Sequence, residues 1–422
     1  MKLSVIGVGY VGLVTGVCFA KLGNKVLFLD IDKHKLDMVS RGLSPIYEEG
    51  LEELLKKHID KIEVTEDYRD AVENSDITFI CVGTPSREDG SIDLSYIIDA
   101  SRKIGESLRE KEEWHLIVVK STVVPGTTVN TLLPVIEDSS GKKAGEGFGI
   151  AMNPEFLREG IAVKDFLEPD RIVIGCYDEK SKRILRELYR DFNCPLLETS
   201  PSAAEMIKYA SNAFLATKIS FINEIGNMCK EIGIDTYEVA DGMGLDKRIG
   251  RAFLDSGIGW GGSCFPKDLA ALKAWAEEKK LETRILDSVI EVNERQPLRL
   301  IELLKKYIPD LKGRVIGVLG LAFKPGTDDV RESRAIPVVR RLLEEEAVVK
   351  AYDPEAIDNF RKMFPNIEYC SNTEEVLESD ALLILTKWDE FRNLNYSGKI
   401  VIDGRRVIEA KKTAKVYEGV CW

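Results

Sequence analysis

Gly7, Gly9 and Gly12 stand between an apolar run and a helical stretch, and this spacing constrains the start of the chain more than any other feature. Lys2–Gly7 (KLSVIG) reads as a buried strand, Gly9–Gly12 as a turn into a helix, and Lys25–Asp30 (KVLFLD) as a second strand. In a strand–turn–helix of this kind the first glycine permits the tight turn. The second lets a pyrophosphate reach the backbone, and the third lets helix pack on strand. Asp30, at the tip of the second strand, suits a carboxylate that accepts from a ribose 2′-hydroxyl. That choice favours NAD, because a 2′-phosphate would be repelled. The alternatives are a turn that binds nothing or another nucleotide, and Lys35 is the residue that would welcome NADP.

Further apolar strands are predicted at Ile77–Val82, Leu116–Lys120 and Gly149–Met152, with helical stretches between them. Alternation of this kind implies a doubly wound parallel sheet. Ser202 to Ile232 then runs without proline, apolar on nearly every face, and predicts one long buried helix acting as a spine and a possible subunit interface. The last third repeats the opening grammar in Arg314–Gly320, Val348–Asp353, Ser379–Thr386 and Lys399–Arg405. It lacks three glycines at the fingerprint spacing, so a second dinucleotide site of that type is not expected. The fold class is α/β: two Rossmann-like doubly wound parallel-sheet domains joined by a long central helix. The expected domains are 1–200 (NAD-binding), 201–297 (spine helix and cysteine loop) and 298–422 (Rossmann-like). Gly141–Gly149 reads as a mobile surface loop.

Composition removes several function classes. The 422 residues carry a net charge of −12, the wrong sign for a general nucleic-acid partner. Eight cysteines form no C-x-x-C pair and only three histidines are present, so no metal site is expected. The uncharged stretch Leu3–Ala20 imitates a signal peptide, but its glycines would break a signal helix. The expectation is a soluble cytoplasmic protein with no membrane partner.

Three stretches carry chemistry. In Asn153-Pro154-Glu155-Phe156-Leu157-Arg158-Glu159-Gly160, two carboxylates lie four residues apart. The bland reading is a helix start with Asn153 as cap and Pro154 in the first turn. The functional reading uses exposed amides and a glutamate as base. Lys208 stands in an almost uncharged part of the spine, where an ammonium is costly without an anionic partner, and Asn212 follows one turn later. Gly259-Trp260-Gly261-Gly262-Ser263-Cys264-Phe265-Pro266-Lys267-Asp268 is the third. Its glycines suggest close approach of a ligand, and Cys264 alone of the eight cysteines lies among glycines and polar residues. Lys267 would favour the thiolate and Asp268 lies one helical turn on. A structural thiol is the competing reading.

These residues, with GVGYVGL at 7–13, STVVPGT at 121–127, GLAFKPGTDDVRES at 320–333 and DGRR at 403–406, give a chain-long match in order. The sequence resembles the UDP-glucose 6-dehydrogenases of the UDP-glucose/GDP-mannose dehydrogenase family. The resemblance implies a four-electron oxidation of a sugar C6 alcohol to a carboxylate with two NAD⁺ consumed, through a thiohemiacetal and a thioester on Cys264. It implies that Lys208 and Asn212 stabilise the oxyanion, that Asp268 moves protons near the thiol, and that Glu155 and Thr122 manage proton and water. NAD would meet Gly7, Gly9, Val11, Gly12, Asp30, Lys35, Thr84, Thr122, Glu159, Lys267 and Arg331. The UDP-sugar would meet Glu155, Phe156, Leu157, Arg158, Glu159, Lys208, Asn212, the loop Phe253-Leu254-Asp255-Ser256-Gly257, Gly261, Lys324 and Arg405. Arg248 resembles the arginine that reaches a neighbouring subunit's substrate, which implies a homodimer. Competing readings are a GDP-mannose or other nucleotide-sugar 6-dehydrogenase and, from a different class, a non-catalytic nucleotide-binding protein.

Overall fold

The computed structural model describes residues 1–422 and divides into two units, Met1–Ser211 and Asn212–Trp422. The first is built on eight strands: β1 (Lys2–Ile6), β2 (Lys25–Leu29), β3 (Ile62–Thr65), β4 (Ile77–Ile80), β5 (His115–Val119), β6 (Phe148–Met152), β7 (Ile172–Cys176) and β8 (Leu196–Thr199). Their spatial order is β3-β2-β1-β4-β5-β6-β7-β8, in which the connection reverses at β1/β4. Ligands of open α/β sheets bind at such a switch point, outside the carboxyl ends of the strands.

The inner strands are largely apolar because both sheet faces are covered. Leu3, Val5, Phe28, Phe79 and Val118 pack on one side with the first helix, Tyr10–Lys21. Ile6, Leu29, Ile80, Ile117 and Val119 pack on the other with Ile97, Ile104 and Leu108 of the helix Ser95–Leu108. The sheet is not parallel throughout, as the sequence suggested. β7 runs antiparallel to β6, with Met152 opposite Gly175. Residues 153–171 hold one six-residue helix (Ala162–Leu167) and return the chain from the edge at which β6 ends, without a crossover. The segment after Gly141 is also more ordered than expected. Glu137 accepts from the Ala144 amide at 3.1 Å and pairs with the Lys143 ammonium at 2.7 Å, while the Gly145 amide bonds Phe148 O.

The spine helix, Pro201–Glu231, begins in the first unit and continues into the second. The second unit adds helices Thr236–Gly244, Phe265–Glu278 and Arg284–Arg295, then an all-parallel sheet of β9 (Val315–Leu319), β10 (Val348–Tyr352), β11 (Glu368–Tyr369), β12 (Ala381–Ile384), β13 (Ile400–Asp403) and β14 (Val416–Gly419). Its order, β11-β10-β9-β12-β13-β14, repeats the switch of the first sheet. Asp353 follows β10 as Asp30 follows β2, but it is buried, and its carboxylate accepts from the amides of Leu321, Ala322, Glu355 and Ala356 and from Trp388 Nε1. An acid so occupied has no acceptor left to present to a ribose. No helix is long and apolar enough to cross a membrane.

Candidate active site

The glycine turn divides its labour as the spacing predicts. Gly7 has φ +99°, and a Cβ there would stand 2.8 Å from Cys81 O. A Cβ on Gly12 would lie 1.9 Å from Gly7 O. Gly9 needs neither favour: its backbone is extended (φ −88°, ψ −171°) and a Cβ would meet nothing within 4 Å. Gly9 is also the N-cap of the first helix and gives it no side-chain cap. An uncapped helix N-terminus beside a residue without a side chain is a cradle for a phosphate. Asp30 is half-buried; Oδ2 accepts from the Val8 amide at 2.5 Å and Oδ1 from the Asp32 amide at 2.9 Å. Lys35 gives its amide to Asp32, which caps the helix Lys33–Ser40. These residues fit a dinucleotide, with Val11 in the first helical turn. Buried Thr84 donates to the Thr122 carbonyl at 2.9 Å, so the structure brings those two predicted contacts together.

Asn153 caps no helix. Residues 153–158 form neither helix nor strand, and the Asn153 side-chain amide instead bonds Val173 O (2.8 Å) while its oxygen accepts from Tyr189 (2.6 Å) and Lys120 (3.0 Å). That anchoring sends Glu155 inward. Its Oε1 lies 2.7 Å from Lys208 Nζ, with side-chain exposures of 7% and 4%, so the costly ammonium has the anionic partner that burial demands. Burial acts to raise the Glu155 carboxyl, but the Lys208 charge and hydrogen bond, the Leu157 amide and Lys120 outweigh it and hold it below the ordinary range. A carboxylate so stabilised is a better electrostatic anchor than a base. Within Glu155–Glu159, the Leu157 amide is given to Glu155 (2.6 Å) and the Arg158 amide to Asp165 (2.9 Å), while Phe156 lies under the Arg171 guanidinium at 3.9 Å.

Two buried groups escaped the sequence reading. Lys120 is pushed down to about 8, by burial first. Glu205, fully buried on the spine helix, accepts from the amides of Gly126 and Thr128 and from the Thr128 hydroxyl, fixing the STVVPGT loop. A lysine at the end of a strand and a glutamate in a helix are too common to signal either role.

In the second unit, Cys264 is the N-cap residue of the helix Phe265–Glu278, with Ser263 Oγ 3.6 Å from its sulfur. A helix N-terminus favours negative charge at that point. Burial makes other thiols inert: Cys18, Cys81, Cys176 and Cys421 are pushed up to about 12. Asp268, 2% exposed, gives its amide to Cys264 O and receives Asn212 Nδ2 at 2.6 Å and Lys267 Nζ at 2.8 Å. Asp268 therefore gathers Lys267 and Asn212 one helical turn after Cys264; the spacing places Lys267 and Asp268 near the thiol, and the fold adds Asn212.

The loop glycines meet constraints within the chain itself. Gly259 (φ +97°) and Gly262 (φ +87°) adopt left-handed backbone, and a Cβ on Gly261 would lie 2.1 Å from Glu332 O. The loop is packed on the 320–333 segment, with the Gly262 amide bonded to Arg331 O. Asn293 clamps it by accepting from the Trp260 amide at 2.7 Å and donating to Trp260 O at 3.0 Å. Lys324 lies over the Phe323 ring at 5.5 Å, and Arg331 makes a bidentate pair with Asp329. Arg405 donates to Gly259 O at 3.1 Å and Leu385 O at 3.0 Å. Phe253 holds φ +64°, rare for a bulky residue, and its ring lies 6.4 Å from that of Phe265. Leu254 and Ser256 are buried beside it, Asp255 pairs with Arg251, and the Gly257 amide bonds Asn223 Oδ1. Arg248 stands apart, 89% exposed and folded onto Asp246.

Comparison with known proteins agrees with this layout. Residues 1–193 match the NAD binding domain of the UDP-glucose/GDP-mannose dehydrogenase family, 202–295 its central domain and 317–410 its UDP binding domain. The chain is 48% identical to UDP-glucose 6-dehydrogenase AglM of Haloferax volcanii, covering 98% of each chain. It is 44% identical to UDP-glucose 6-dehydrogenase TuaD of Bacillus subtilis, over 99% of this chain and 93% of that one. A solved UDP-glucose dehydrogenase from Pyrobaculum islandicum superposes with a TM-score of 0.96 at 46% identity, covering 100% and 98%. The glycine turn, the buried Lys208–Glu155 pair and the cysteine at a helix start are thus features of a chain that belongs to the UDP-glucose/GDP-mannose dehydrogenase family.

Proposed function

We propose that the chain oxidises the C6 alcohol of UDP-glucose to the carboxylate of UDP-glucuronate, with two NAD⁺ reduced. The observation that carries this reading is Cys264 at a helix N-terminus, one turn from the buried Asp268, which holds Asn212 and Lys267. NAD⁺ when bound supplies the acceptor for both hydrides. The first oxidation leaves an aldehyde at C6; Cys264 Sγ adds to that carbon, and the oxygen takes a proton to complete a thiohemiacetal. Loss of the second hydride and the hydroxyl proton leaves a thioester, and water then cleaves the C–S bond, giving the carboxylate and returning the thiol. Lys208 and Asn212 carry the donors suited to the developing oxyanion. Asp268 holds the proton traffic at the sulfur, and Thr122 orients water. Glu155 serves this chemistry by keeping Lys208 charged and in place.

The cofactor residues are those of the glycine turn with Asp30, Lys35, Thr84, Thr122, Glu159, Lys267 and Arg331. The sugar nucleotide is assigned to 155–159, Lys208, 253–257, Gly261, Lys324 and Arg405. The domain limits 1–200, 201–297 and 298–422 follow the change of character along the chain. A homodimer, in the cytoplasm, is part of the same reading, supported by the exposed Arg248 side chain and by Phe214, Phe221 and Met228 standing exposed along one spine helix. NADH absorbance with a panel of UDP- and GDP-sugars tests the assignment. UDP-glucose should give the highest kcat/KM; a preference for GDP-mannose would overturn it.

A further inference from the structure

Glu48 is a buried carboxylate, 7% exposed, on the loop between the helix Lys33–Ser40 and the helix Leu51–Lys57. None of the ion pairs in the structure involves it. Its oxygens instead join two segments far apart in sequence. Oε2 accepts from the Tyr10 hydroxyl and from the Gly160 amide (2.7 Å), and Oε1 accepts from the Val163 amide (3.3 Å). The Gly160 amide also lies 2.9 Å from the Tyr10 oxygen, which closes the triangle. Tyr10 is the residue between Gly9 and Val11 in the glycine turn, and Gly160 directly follows Glu159. Burying an anion whose partners are only amides and a hydroxyl is expensive, so the arrangement calls for a return elsewhere. Burial, then the Glu48 hydrogen bond, pushes the Tyr10 hydroxyl well above its ordinary value, so it remains a donor. The surroundings are firm: Tyr10, Ile46, Leu157 and Val163 all pack against the same apolar core as the first helix.

We infer that Glu48 is a positioning residue that clamps the glycine turn to the 155–163 segment, so that cofactor binding at the turn and the placement of Glu155–Glu159 are coupled. The inference rests on NAD⁺ binding at that turn. A ligand that orders Gly9–Val11 fixes the Tyr10 hydroxyl, and through Glu48 it fixes the Gly160 and Val163 amides. Coupling of this kind is reciprocal: whatever orders the 155–163 segment must tighten NAD⁺ to the same degree.

Hydrogen exchange of the 157–166 segment, measured with and without NAD⁺ and without any sugar, reads the coupling directly. The wild type should gain protection there on binding, and Glu48→Gln and Tyr10→Phe should each lose most of that gain. Calorimetric titration should show each variant binding NAD⁺ at least about fivefold more weakly, with the double variant no weaker than the weaker single. Tyr10→Phe keeps the ring in the core, so it tests the clamp even if Glu48→Gln folds poorly. Binding by the wild type with no change in 157–166 exchange would overturn the clamp alone, as would additive losses in the double variant. A wild type that does not bind NAD⁺ would overturn the cofactor assignment, and the coupling with it.

Discussion

Asn212 Nδ2 lies 2.6 Å from Asp268 Oδ2, which ties the spine helix to the first turn of the helix that Cys264 begins. The same carboxylate holds Lys267 at 2.8 Å and is almost inaccessible to solvent. Asp268→Asn keeps the size of the group but removes the charge and one acceptor. Its kcat with UDP-glucose is expected to fall by about 10²-fold or more, as for loss of a group that moves protons, with KM much less affected. Steady-state kinetics check this; an unchanged kcat would remove Asp268 from the proton path.

Lys208 and Glu155 form the buried ion pair of the first unit, 2.7 Å apart. Lys208→Met leaves a desolvated carboxylate unpaired and should cost about 3–5 kcal/mol of stability. Glu155→Gln combined with Lys208→Met should cost clearly less than the two single changes added together, because neither charge is then left alone. Urea unfolding of the three variants gives the comparison.

Asp30 sets cofactor choice. Asp30→Ala should raise the KM for NAD⁺ and narrow its advantage over NADP⁺, since an acceptor for the ribose and a charge that repels a 2′-phosphate vanish together. The Val8 and Asp32 amides also lose their acceptor, so a modest drop in Tm is expected. The KM ratio for the two cofactors, measured in wild type and variant, is the check.

The fully buried Asp403 predicts a pH dependence. Burial first pushes its carboxyl from 3.8 up to about 6, against the opposing hydrogen bonds from the Arg405 and Val407 amides and Tyr417. The folded chain holds this proton more tightly than the unfolded chain. The contribution to stability is therefore fully present below about 4 and is lost as pH rises to about 6, by about 3 kcal/mol in all. Asp403→Asn does not titrate. Its stability relative to wild type should therefore improve by that amount between pH 4 and pH 7, read by urea unfolding across the range.

Much of this architecture is legible in the residues. Strands β1, β2, β4, β5 and β6 announce themselves because burial on both faces makes them continuously apolar, and Gly7, Gly9 and Gly12 fix the turn and helix after β1. β3, β8 and β11 give weaker signals: each is an edge strand, so IEVT, LLET and EY are partly exposed and mixed in character. The reversal of β7 depends on how residues 153–171 turn back, which no local pattern states. Among site residues, Cys264 and Asp268 could be paired from helical spacing, whereas the partnership of Lys208 with Glu155 spans 53 residues and needed the fold. The glycines at 259, 261 and 262 show the reverse case, since their sequence pattern does not state that the chain itself crowds them, Asn293 at Gly259, Glu332 at Gly261 and Phe323 at Gly262.

The central claim is that Cys264 holds the sugar covalently between two oxidations. With UDP-glucose limiting and NAD⁺ in excess, wild type should release two NADH per sugar with no free aldehyde, and Cys264→Ser should fold, bind both ligands and lose steady-state turnover by about 10³-fold or more. A titration that stops at one NADH per sugar, or near-normal NADH production by the serine variant, would contradict the account.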